Sequence, residues 1–156
     1  MKITLVGVGK TKQSFVLEGM EYFKKRLSRY ADFNEVILPE VKNAAKLSPD
    51  LLKEKEAEEI LKKVGSGRFF ILDEKGKQYS SKKFAEFIEK EGVSGNSELV
   101  FCVGGAYGFA DYIKQKAHGK ISLSEGTFTH QFIRLMFTEQ IYRAFSILNN
   151  SPYHNE

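Results

Sequence analysis

The 156-residue chain, 42% hydrophobic and 28% charged with a net charge of +4, has the composition of one globular domain spanning 1–156, not of a disordered or membrane-spanning chain. One cysteine and three scattered histidines rule out an internal disulfide and offer no recognisable ligand set, so no metal is expected. The modest positive charge permits a polyanionic partner without requiring one. The opening residues lack a signal-peptide cleavage pattern, and the expectation is a cytoplasmic protein.

Residues 2–8 read as an apolar strand. Gln13 to Tyr30 follows as a helix, with Phe15, Met20, Phe23 and Leu27 at helical spacing and Lys24, Lys25, Arg26 and Arg29 largely on the other side. Phe33 to Leu38 is a second strand ended by Pro39, and Glu40 to Leu47 reads as a mobile loop. Ser48-Pro49 is a good helix start, a cap followed by proline at the first helical position. That helix runs to about Val64, where Gly65-Ser66-Gly67 breaks it. Arg68 to Asp73 forms a third strand, Gly76 marks a turn, and Ser80 or Ser81 caps a helix to about Glu91.

Leu99 to Val103 is apolar without alternation, the pattern of a strand buried on both faces of a parallel sheet. It breaks into Gly104-Gly105-Ala106-Tyr107-Gly108, where glycine lets backbone approach a ligand closely. A short helix from Phe109 to Ala117, a fifth strand from Gly119 to Leu123 and a long helix from Thr129 to Asn149 complete the chain. Strands alternating with helices make the class α/β, a single domain with a mainly parallel sheet flanked by helices. The last helix is apolar nearly all round, which predicts packing against a second subunit.

Gly7-Val8-Gly9-Lys10-Thr11 ends like a P-loop, but the pattern needs glycine where Thr4 stands, and a dinucleotide fingerprint would need one at Lys12. No Gly-x-Ser-x-Gly elbow is present. Three loops remain, each at the carboxyl end of a predicted strand: Leu72 to Gly76, Gly104 to Gly108, and Leu123 to Phe128. Ligands of open α/β sheets bind at that edge. The loops carry no lysine or arginine cluster, which disfavours a phosphate-rich ligand. Leu72, Leu123 and Phe128 would wall a purine ring, and Glu125 could complement a positive charge. His130 with Arg134, and Glu139 with Arg143, stand one helical turn apart, as caps or ion pairs do.

The opening Met-Lys-Ile-Thr-Leu-Val-Gly-Val-Gly-Lys, the Val103 to Gly108 turn, Leu123-Ser-Glu-Gly-Thr-Phe-Thr-His130, Glu139-Gln-Ile-Tyr-Arg-Ala-Phe145 and the closing Ser151-Pro-Tyr-His-Asn-Glu156 are familiar together. Over essentially the whole chain the sequence resembles the RlmH family, SPOUT-class pseudouridine N3-methyltransferases of 23S ribosomal RNA. The resemblance implies a carboxyl-terminal trefoil knot, a homodimer, S-adenosyl-L-methionine as cofactor and 23S rRNA within the ribosome as substrate. It puts cofactor contacts at Leu72, Gly104, Gly105, Leu123, Ser124, Glu125, Gly126, Thr127 and Phe128. It places Tyr153 and His154 beside the substrate base with Arg143 nearby; His154 is then the candidate to accept or relay the N3 proton. Lys10, Lys12, Lys24, Lys25, Arg26 and Arg29 are candidates for RNA contact. Two positions depart from the family pattern. Thr129 stands where proline is usual, and Asn155 where a basic residue commonly follows the histidine.

Overall fold

The computed structural model describes residues 1–155. Five strands, β1 (Lys2–Val8), β2 (Asp32–Leu38), β3 (Phe69–Gln78), β4 (Glu98–Val103) and β5 (Gly119–Ser122), pair wholly in parallel in the order β2-β1-β4-β3-β5. Helices α1 (Ser14–Leu27), α2 (Pro49–Val64), α3 (Ser81–Val93), α4 (Asp111–Lys116) and α5 (His130–Leu148) connect and follow them.

Strand alternation divides the core in two. Ile3, Leu5, Phe70, Leu72, Leu99, Phe101 and Val103 face one side, where α1, α3 and α5 supply Val16, Met20, Phe84, Ile88, Phe137 and Ile141. Val6, Val8, Phe69, Ile71 and Cys102 face the other, against Ala57 and Ile60 of α2 and Ile113 of α4. β4 lies between β1 and β3, which is why its sequence shows no polar face. The caps hold. The Ser48 hydroxyl accepts from Leu51 N at 3.2 Å and that of Ser80 from Lys83 N at 3.3 Å. At the departed position, Thr129 caps α5 by accepting from Phe132 N at 3.2 Å, a side-chain bond proline could not supply.

Three segments differ from the sequence reading. Helix α1 closes at Leu27 instead of Tyr30, and Ala44–Lys46 forms a 3-10 turn within the expected loop. Gly76 does not end β3. Leu72 pairs with Ile121, residues 73–76 leave the ladder, and Lys77 and Gln78 rejoin it opposite Ile121 and Ser122. A Cβ on Gly76 would stand 2.6–2.7 Å from backbone atoms of Lys120 and Ile121. The glycine is there for close backbone approach, the other meaning of glycine in a strand.

Candidate active site

The three loops singled out at the carboxyl ends of β3, β4 and β5 line one cavity of about 670 Å³, within the range of small-molecule sites. β3 contributes Leu72 and its excursion Asp73, Glu74 and Lys75. The segment after β4 contributes Gly104 to Gly108, and that after β5 contributes Leu123, Ser124, Gly126, Thr127 and Phe128. Glu125 is exposed and does not line it. The Gly104–Gly108 segment is a tight turn closed by Gly108 N donating to Gly105 O at 3.0 Å, with Gly108 at φ +81°. Thr127 Oγ1 donates to Glu74 Oε2 at 2.7 Å and ties two of the loops across the rim.

Two features of the cavity were not foreseen. Its carboxylates come from Asp73 and Glu74, and lysines reach it from neighbouring helices as well: Lys53 on α2 and Lys114 on α4 join Lys75. Each helix lysine has an acidic neighbour, Lys53 at 3.4 Å from Asp50 and Lys114 at 3.9 Å from Asp73. The site is therefore electrically mixed, not a phosphate cradle. Beneath the glycine turn lies Glu56 of α2, 8% exposed, its Oε1 without a hydrogen-bond partner. Burial raises its pKa. No local pattern marked this glutamate, which sits in a run of solvated-looking charges.

The other candidates gather elsewhere. Glu139 and Arg143 form the expected pair on α5, with Arg143 Nη2 2.5 Å from Glu139 Oε1. The tail folds back onto them: Tyr153 Oη donates to Glu139 Oε1 at 3.1 Å, and Arg143 Nη1 stands 3.2 Å from His154 Nδ1. The guanidinium also covers the Tyr153 ring at 4.6 Å. Burial and the Glu139 charge push the Tyr153 phenol up to about 12, so it remains a hydrogen-bond donor at neutral pH. None of Arg143, Tyr153 and His154 lines the cavity. From Ile133 on the cavity wall to Arg143 is about 15 Å along the axis at 1.5 Å per residue.

His130 and Arg134 make neither a cap nor an ion pair. Arg134 is 1% exposed and turns into the end of β1, donating to Val8 O and Gly9 O at 2.8 Å and to Thr11 Oγ1 at 3.1 Å. This guanidinium fills the place a P-loop would keep for phosphate, beside Gly9-Lys10-Thr11. Two backbone carbonyls and a hydroxyl accept from it, its Nε has no hydrogen-bond partner among the described residues, and the Glu35 charge also favours it. His130 lines the cavity, and burial, then the Arg134 charge, lower its pKa.

A family model described as "Predicted SPOUT methyltransferase" matches residues 1–154. The chain belongs to the SPOUT methyltransferase family. Among curated relatives, it is 47% identical to ribosomal RNA large subunit methyltransferase H of Parabacteroides distasonis and 46% identical to that of Flavobacterium johnsoniae, each alignment covering 100% of both chains. Among solved structures, a probable methylase family protein from Haemophilus influenzae shares the fold at a TM-score of 0.53 and 12% identity, over 99% of this chain and 70% of that one.

Family membership requires a methyl donor, and the cavity suits one carrying a purine and a sulfonium. Leu72, Leu123, Phe128 and Ile133 give apolar walls, Gly104 and Gly105 bare backbone, and Asp73 and Glu74 negative charge at the rim. Among the described residues, no group of histidine, cysteine, aspartate and glutamate could hold a metal ion, and no helix is long and apolar enough to cross a membrane.

Proposed function

We propose that this protein transfers a methyl group from S-adenosyl-L-methionine to N3 of a pseudouridine in 23S ribosomal RNA, acting as a homodimer on the assembled ribosome. The single observation that carries the reading is the cavity formed jointly by the loops after β3, β4 and β5, in a chain 47% identical over its whole length to a large-subunit rRNA methyltransferase. The family's trefoil knot belongs to the same reading.

Bound in this cavity, the cofactor supplies an electrophilic methyl carbon on a positively charged sulfur. Leu72, Leu123 and Phe128 would enclose the adenine, and backbone at Gly104, Gly105, Ser124, Gly126 and Thr127 would take the polar groups. Holding donor and acceptor in line accounts for most of the acceleration. Arg143, Tyr153 and His154 hold the target base and offset the negative charge that develops as N3 loses its proton.

The offset of about 15 Å along α5 between Ile133 and Arg143 is the reason the dimer enters the mechanism. One subunit's tail serves its partner's cavity. An aromatic row supports an apolar contact between copies: Phe15, 55% exposed, meets Phe132 at 6.3 Å, which stacks on Phe128 at 5.8 Å. The RNA surface must rest on fewer free cations than the sequence offers. Lys24 is held by Glu35 at 2.9 Å and Glu21 at 3.2 Å, and Arg26 lies on the Tyr22 ring at 3.5 Å. Recognition of shape on the assembled ribosome makes up the difference.

The test is methyl transfer from radiolabelled S-adenosylmethionine to ribosomes lacking the modification, with free 23S rRNA and a short stem-loop alongside. Label in N3-methylpseudouridine on ribosomes alone is expected. Equal labelling of the stem-loop would overturn the ribosome requirement, and no label on any substrate would overturn the activity.

A further inference from the structure

We propose that His130 is the proton acceptor for the N3–H of the target base, a catalytic role separate from that of the Arg143–His154 cluster. The inference rests on the methyl-transfer reading above and adds to it the destination of the proton.

The chain has three histidines, and only His130 borders the cavity. His118 is committed to the fold, its Nδ1 accepting from Phe69 N at 3.2 Å. His154 faces Arg143, and a guanidinium has donors only. A contact of 3.2 Å from Arg143 Nη1 therefore occupies the lone pair of His154 Nδ1. His154 is thus held in the tail cluster and does not line the cavity. His130 differs on each count. It is the first residue of α5, half-buried, and lines the cavity along with Phe128 and Ile133. No hydrogen bond engages its ring among the described residues, so a nitrogen lone pair is available.

Its surroundings keep the ring neutral. Arg134 one turn along α5 and Lys12 from the β1–α1 connection disfavour a second positive charge, as does burial, while Glu40 after β2 opposes them in part. Glu40 is itself 3.7 Å from the Lys12 ammonium. The positive end of the α5 dipole acts in the same sense as the cations. The cavity's own carboxylates are engaged: Asp73 accepts from Lys75 N at 2.9 Å and faces Lys114, and Glu74 accepts from Thr127.

The step balances without another reactant. The N3–H proton passes to the His130 ring nitrogen. The N3 electron pair forms the bond to the methyl carbon, the carbon–sulfur bond breaks, and its electrons remain on sulfur as the neutral thioether. The imidazolium returns its proton to solvent, helped by the same cations that lowered its pKa.

The experiment compares wild type with His130→Gln in single-turnover methyl transfer to unmodified ribosomes from pH 6 to 9, with S-adenosylhomocysteine binding measured by calorimetry. In wild type the rate is expected to level off above neutral pH, because the acceptor is already neutral there. The variant is expected to bind S-adenosylhomocysteine within about twofold of wild type. At pH 7 its rate should fall about 100-fold or more, the usual worth of a general base, and climb about tenfold per pH unit as hydroxide replaces the lost acceptor. A purely structural role would lower the rate without changing that slope. A variant as fast as wild type, or slowed equally at every pH, would overturn the assignment. Loss of S-adenosylhomocysteine binding would overturn it too, making His130 a cofactor-holding residue. An inactive wild type would overturn the methyl-transfer reading itself, an outcome plainly distinct from an active wild type with an unimpaired variant.

Discussion

Glu56 shows what a residue-level cost looks like in this fold. Its carboxylate lies so close to Gly105 that any side chain there would overlap it, and Oε1 has no partner. Burial raises the folded pKa above the ordinary 4.5. An acid with a raised folded pKa adds stability below its unfolded pKa, and that contribution is lost as pH rises through the folded value. Raising the pH through the folded value therefore places charge on an under-satisfied carboxylate. Glu56→Gln, which removes the charge at constant shape, is expected to stabilise the protein at pH 7 by about 1 kcal/mol, or roughly 2–4 °C in melting temperature. The gain should vanish near pH 4, where the native glutamate is protonated. Thermal melts at the two pH values check this. A variant less stable at pH 7 would mean that the carboxylate is well solvated or hydrogen-bonded. The neighbouring Gly105→Ala is expected to weaken S-adenosylhomocysteine binding at least tenfold, because the turn must move off Glu56 and into the cavity. Calorimetry reads that directly.

Among the elements, β3 carries the most consequence, since its departure from the ladder after Leu72 builds one wall of the cavity. Gly76 lets it return. Gly76→Ala would press a methyl group onto the Lys120–Ile121 backbone, which has no side-chain freedom with which to yield. A cost of about 1–3 kcal/mol is expected, with S-adenosylhomocysteine affinity falling as the Asp73–Lys75 wall shifts. Unchanged melting and binding would show that β5 gives way easily. The sequence marks Gly76 clearly but not its meaning, because glycine signals a turn and a close approach with the same letter. What could be read correctly was local or periodic: the unbroken apolar run of β4, the caps at Ser48 and Ser80, the Glu139–Arg143 spacing, and three glycine-bearing or polar loops at one sheet edge. What could not be read depends on long-range contact. Arg134 satisfies carbonyls more than 120 positions away, Lys53 and Lys114 reach the cavity from helices whose charge patterns look merely solvated, and the tail's return onto Glu139 has no periodic signature.

At the scale of the whole molecule, α5 sets two distances against each other. Its first turn walls the cavity, while its fourth holds Arg143 under the returning tail, about 15 Å further on along the axis. The proposed reaction needs donor and target base in contact, and that offset along α5 separates the two sets of residues within one subunit. In the proposed two-fold dimer the same surfaces would meet reciprocally, and each active centre would join one subunit's cavity to the other's tail. That arrangement makes a prediction no single-chain site shares. At cofactor concentrations below the weakened affinity, Gly105→Ala is expected to leave a cavity empty, and His154→Ala to impair a tail. Each homodimer should be inactive or nearly so. In a heterodimer of the two, one centre combines both lesions, but the other joins the intact cavity of the His154→Ala subunit to the intact tail of the Gly105→Ala subunit. Random reassortment of an equal mixture makes about half the dimers mixed, each with one working centre of two, so about a quarter of wild-type activity should return. Methyl transfer to ribosomes before and after subunit exchange measures it. If exchange is complete by mass spectrometry and activity stays at the level of the separate variants, each site is contained in one chain. The tail must then travel along α5 to its own cavity.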